Sequence, residues 1–174
     1  MLNSKLNLPT NNAIEQRKNK TKWNIKHSTS SPDFFTIGYS GQDIDSFLNT
    51  LINVNVATLV DVRFTPVSQF KPQFSKNNLK NALTSKGIHY IHKPDWGVPK
   101  EIRANSVGKN TRADIWTWYD SNIIPLIIKR NMDEFFNCLE HPVAFMCVEY
   151  DPTECHRHRI FIGLEQLGLK GRDL

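Results

Sequence analysis

The feature that most constrains this chain is a fourfold alternation of short apolar runs with amphipathic stretches. The runs are Phe34–Ser40, Val56–Phe64, Ile88–His92 and Val143–Tyr150. Each is too short for a buried helix, rich in β-branched and aromatic residues, and flanked by Gly or Pro, which predicts strands. Their apolar residues fall on both faces, so helices must cover both sides of the sheet they form. Between the first two runs, Ser40 reads as an N-cap with Asp43 in the first turn. Ile44, Phe47, Leu48 and Leu51 follow at helical spacing. A second helix starts at Ser75, turns Leu79, Ala82 and Leu83 inward and ends at Gly87. Pro94–Asn110 reads as a loop, and Arg112–Glu140 as a long helical region bent or split near Pro125. CHRHRIFIGLEQLG gives a last helix, closed by Gly168. The expected fold is α/β: a single domain with a mainly parallel sheet of four to five strands, flanked by helices in a Rossmann-like three-layer arrangement.

Parallel strands bring their carboxyl ends to one rim, where ligands of open α/β sheets bind. Residues far apart in sequence therefore converge there: Tyr39 and Ser40, Asp61 and Arg63, His92, Cys147 and Glu149, then DPTECHRHR (Asp151–Arg159). Within that nonapeptide, helical spacing puts His156 and Arg157 on the sheet-facing side, and His158 and Arg159 on a less uniformly buried side. A helix start favours an anion, Arg157 adds a bidentate donor, and the same field makes Cys155 a thiolate candidate. The alternative is Cys155 as a small apolar filler at a capped helix start. Cys147 and Glu149 share a face at a strand end. Cys147 reads as core or site, while Glu149 needs a cation or hydrogen-bond donors and can serve as an acid or base. Asp61 and Arg63 form either a structural ion pair or a half-site for an anionic substrate.

Five potential ligands invite a test for zinc, Cys147, Glu149, Cys155, His156 and His158, yet there is no C-x-x-C or H-x-x-x-H pair. The expectation is a site with neither metal nor cofactor. Trp96, Trp116, Trp118 and Tyr119 read as core or as a wall able to stack a base. Cys138, in FFNCLE, reads as core.

Charge decides how far nucleic acid enters. Residues 1–32 carry six basic side chains against Glu15 alone, so the whole formal net charge of +5 sits there and the remaining 142 residues balance. That arm reads as a polar, flexible leader to a domain over 33–174, with nucleic-acid contact through the arm as the alternative. The amino end lacks the apolar stretch of a secretory signal, and no run reaches the roughly 18 apolar residues of a membrane span. Three cysteines do not build a disulfide framework, so a reducing, cytoplasmic setting is expected.

TIGYS, LVDVR, the P-x-F of KPQF and above all CVEYDPTECHR resemble the domain of unknown function family 488 (DUF488), from about Phe35 to Leu167. The resemblance implies an α/β domain of prokaryotic cytoplasm with no settled activity. It points to Tyr39, Ser40, Asp61, Arg63, His92, Cys147, Glu149, Cys155, His156 and Arg157. Two departures stand out: HKPDWGVPK replaces a Leu-Gly-Gly after the His-x-Pro element, and the chain stops at KGRDL, where the family runs on into a further strand. Two functions follow as expectations. One is an enzyme with Cys155 as nucleophile, protons handled by His156, Glu149 or Asp61, and a small anionic or nucleotide-type substrate held by Arg63 and Arg157. The other is a binding module using the arm and the Trp-rich loop.

Overall fold

Alternation along the strands sorts the core into two layers. In a computed structural model that describes residues 31–103, 111–129 and 132–174, β4 (Val143–Cys147) turns Val143, Phe145 and Cys147 to one side, and Ala144 and Met146 to the other. Five parallel strands form the sheet, in the order β3 (His89–His92), β2 (Thr58–Asp61), β4, β1 (Phe34–Gly38), β5 (Gly171–Asp173). The expected three-layer α/β architecture is observed.

Helices α1 (Ile44–Asn53) and α2 (Lys76–Thr84) cover one face through Phe47, Leu48, Leu51, Leu79 and Leu83. The other face is covered by α3 (Arg112–Asn122), α4 (Ile124–Lys129), α5 (Met132–Asn137) and α6 (Arg157–Gln166). The expected long helix over 112–140 is thus split, and its first break falls at Ile123, just before Pro125.

Chain order fixes where a crevice must open. The strands on either side of β4, β1 and β2, send their next connections to the α1/α2 face, whereas β4 sends its own to α6 on the opposite face. Connections that diverge to opposite faces leave a gap above the strand ends, here at the carboxyl end of β4.

Four local expectations change. Ser40 does not cap α1: Ser40 and Gly41 form a turn, with Gly41 at φ +78°, and Asp43 caps instead by accepting from the Ser46 amide at 2.7 Å. The strands are shorter than their apolar runs, because pairing ends where the chain bends away to build the rim. Cys138 is exposed, since Phe135 and Phe136 take the inward positions of that turn. KGRDL does contribute a further strand, β5, paired with β1. Its Asp173 carboxylate accepts from the Thr36 hydroxyl of β1, a polar anchor that an apolarity pattern does not register. The basic arm expected over residues 1–32 lies outside the described residues apart from Ser31 and Pro32.

At Gly38, the last residue of β1, a Cβ would lie 1.7 Å from the Glu149 carbonyl oxygen. The strand end and the loop after β4 touch there through bare backbone. Gly38→Ala is expected to lower stability by at least about 1–3 kcal/mol, because backbone rather than a pliable side chain must move. An unchanged denaturation midpoint would contradict this contact.

Candidate functional site

The crevice is a cleft of about 480 Å³ at the carboxyl end of β4. Cys147, Cys155 and His156 meet at its floor, with thiol sulfurs and an imidazole nitrogen all within 4.8 Å of one another and all three residues buried. Cys147 arrives as the last residue of β4, while Cys155 and His156 arrive on the turn that starts α6. The Asp151 side chain shapes that turn by accepting from the Thr153 amide at 2.8 Å, after which Pro152–Glu154 forms a 3₁₀ turn. The helix begins at Arg157, so His156 precedes its first full turn.

Hydrogen bonding fixes the His156 tautomer. Its Nε2 lies 3.2 Å from the Val62 carbonyl, which only accepts, so Nε2 carries the hydrogen in the neutral ring. The Cys147 sulfur lies beside the ring, 3.6 Å from Nδ1 and 3.9 Å from Nε2. Glu149 Oε2 stands 3.7 Å from the same sulfur, giving that thiol two possible acceptors. The field expected at the helix start does not govern Cys155. Burial pushes its thiol pKa well above the usual value, and the neighbouring Cys147 pushes the same way, with His156 opposing. Burial likewise raises the pKa of Tyr119, whose hydroxyl donates to the Trp96 carbonyl at 2.5 Å beneath the floor.

The remaining rim residues divide sharply. Arg63 reaches the cleft wall, but its guanidinium is clamped by Asp61, Nε to Oδ1 at 2.8 Å and Nη2 to Oδ2 at 2.6 Å. Burial alone would lower the Arg63 pKa; the bidentate carboxylate raises it instead. Asp61 is saturated, since Tyr90 donates to it at 2.6 Å and the Arg63 amide at 3.1 Å, and it does not line the cleft. The ion-pair reading of this couple is the one its geometry matches.

Arg157, expected to hold an anion, is fully buried: Nε donates to Thr36 Oγ1 at 3.3 Å, Nη2 to the Tyr150 carbonyl at 2.8 Å, and Nη1 to the Glu149 carbonyl. Its role is to hold the loop after β4, and a ligand in the cleft cannot reach it. Tyr39 stacks on Phe74 with centroids 4.4 Å apart and sits under Arg63, on the α1/α2 side of the sheet. His92 braces backbone, its Nε2 2.9 Å from the Arg63 carbonyl. Ser40 lines a separate shallow pocket with Gly41, Gln42 and Tyr150. Of ten expected site residues, five line the cleft: Arg63, Cys147, Glu149, Cys155 and His156.

Sequence reasoning missed Arg103, Arg112, Glu154 and Thr65 on the walls. Arg103 lies within the Pro94–Asn110 stretch read as a plain loop and Arg112 just beyond it, where no periodicity marks a position as inward. Arg112 forms an ion pair with Glu154, both about half exposed, which contributes little to stability. Among the aromatics, Trp96 and Tyr119 belong to the core, Trp118 packs against it, and Trp116 lines the cleft.

A family model described as Domain of unknown function DUF488 matches residues 43–161. No curated protein and no solved structure matches the chain. No described helix is long and apolar enough to cross a membrane.

Proposed function

The chain belongs to the DUF488 family, and from that premise we propose that its cleft is the active site of a cysteine-dependent enzyme acting on a small anionic substrate. The observation that carries this reading is the convergence of two thiols and one imidazole at the floor of a cleft whose walls bear Arg63, Arg103 and Arg112. Buried cysteines that merely fill space do not need an imidazole and a carboxylate both beside their sulfur. Cys155 was the nucleophile expected from the sequence. We assign that role to Cys147 instead, because its sulfur has Glu149 Oε2 at 3.7 Å and His156 Nδ1 at 3.6 Å, while burial pushes the Cys155 thiol up against the opposing effect of His156. Glu149, on the same wall, is placed to take or return a proton at the substrate. Arginine forks suit phosphate or carboxylate groups, and Trp116 offers a face for a base, so nucleotides and phosphoesters are the first substrates to try.

The test is a turnover screen of nucleoside monophosphates and chromogenic phosphoesters with the full chain. Cys147→Ser is expected to abolish turnover. Arg112→Ala, on a half-exposed side chain, should raise KM about tenfold while leaving the denaturation midpoint in place, the effect of losing one charge-assisted contact. Turnover of such a substrate that survives Cys147→Ser would overturn the cysteine-dependent reading.

A further inference from the structure

We propose that Cys147, Cys155 and His156 form a binding site for a thiophilic divalent ion of the zinc class, with its fourth coordination position open to the cleft. Tetrahedral zinc with two sulfurs and one imidazole nitrogen holds its donor atoms roughly 3.5–3.8 Å apart, given bond lengths of about 2.3 and 2.0 Å. Cys147 Sγ and His156 Nδ1 are 3.6 Å apart, and all three donor atoms fall within 4.8 Å of one another. Modest side-chain motion therefore closes the set around one ion.

The second observation is independent of that spacing. Metal-bound histidines characteristically donate their other ring nitrogen to a carbonyl or carboxylate, which fixes the tautomer and orients the ring. His156 already has half of this arrangement: Nε2 faces the Val62 carbonyl at 3.2 Å, which leaves Nδ1, 3.6 Å from the Cys147 sulfur, as the unprotonated nitrogen.

Charge balance supplies the third argument. Binding releases the two thiol protons, so a divalent ion, two thiolates and a neutral imidazole sum to zero. A neutral assembly suits a floor built from Tyr119 and Phe145 far better than an isolated thiolate does. Three protein ligands with one open position is the pattern of catalytic rather than structural zinc. Glu149, which lines the same cleft, has its Oε2 3.7 Å from Cys147 Sγ, close enough to act on a molecule bound at an open position. The missing C-x-x-C motif does not count against the site. Such motifs arise when one turn supplies two sulfurs, whereas here the end of β4 supplies one sulfur and the turn before α6 supplies the other together with the adjacent imidazole.

With an ion bound, Cys147 and His156 act as ligands rather than as nucleophile and proton acceptor, so this inference rests on the reading of the cleft as an active site only for its catalytic consequence, and its test measures metal rather than turnover. Full-length reduced protein is stripped with chelator and titrated with Co(II), then with Zn(II). Expected are one equivalent per chain, a thiolate-to-cobalt charge-transfer band with the intense visible bands of a tetrahedral site, and displacement of cobalt by zinc. Cys138→Ser should keep the whole response, while Cys147→Ser and Cys155→Ser should each weaken cobalt binding at least a hundredfold. Both of those cysteines are buried, so the wild-type titration is decisive by itself whether or not the variants fold: no charge-transfer band in reduced wild type overturns the site. Equal loss in Cys138→Ser overturns it too, as does a Cys147–Cys155 disulfide whose reduction brings no cobalt uptake. Absent metal alongside Cys147-dependent turnover would sink this inference and leave the proposed function standing; bound metal with no turnover would do the reverse.

Discussion

Asp61→Ala is expected to cost about 3–5 kcal/mol of stability, the range for removing one partner of a buried ion pair. Asp61 is fully buried and Arg63 nearly so. Without the carboxylate, the guanidinium keeps a 3.4 Å contact to the Tyr39 hydroxyl, and the Tyr90 hydroxyl loses its acceptor. Both groups would then lie desolvated and underused. The companion variant separates structure from catalysis. Asp61→Ala combined with Arg63→Met removes both charges, and an apolar pair of similar volume should recover most of the loss. Were Asp61 instead a proton carrier for the substrate, Asp61→Ala would fold normally and lose only turnover. Chemical denaturation of the two variants distinguishes these results.

The same couple shows how far the sequence could be read. DVRF placed Asp61 and Arg63 on one side of a strand end, and a period of two is enough for that. It could not say whether the guanidinium faced a ligand or its own neighbour. That depends on Tyr90 and Tyr39, which arrive from other strands. Parallel strands, two-sided burial and the rim were legible because apolar periodicity encodes them directly. Cys147 with Glu149, and Cys155 with His156, were legible as two pairs, and the convergence of strand ends correctly joined them. Which arginines face the cleft was not legible. Helical spacing turned Arg157 toward the sheet, where it is buried, but did not say that backbone carbonyls rather than a ligand meet it there; Arg103 and Arg112 reach the cleft from within and beside a loop, where no period marks direction. The helix start also misled about Cys155, because desolvation at full burial outweighs the field of a few partly used amides.

Arg157→Met is expected to be among the most damaging single changes, at roughly 3–5 kcal/mol, and for reasons unrelated to ligand charge. The methionine keeps much of the volume but leaves the Glu149 and Tyr150 carbonyls without their buried donor, each costing about 1–3 kcal/mol. Thr36 loses its contact to Nε, although its hydroxyl still donates to Asp173. The harm should reach the floor of the cleft, since the two carbonyls belong to the loop joining Cys147 to the turn that carries Cys155 and His156. Gly38 has no Cβ at this point, so the loop sits directly on the end of β1; an added Cβ would also lie 2.9 Å from Arg157 Nη1. Arg157→Lys should rescue little, because one ammonium cannot span a hydroxyl and two carbonyls that the guanidinium fork reaches together. The measurement is denaturant unfolding of both variants beside cobalt titration. The expected result is a large drop in midpoint for each, with metal uptake weakened in proportion to the folded fraction lost. A normal midpoint with weakened binding of phosphate-bearing ligands would instead return Arg157 to the anion-holding role its position in the sequence suggested.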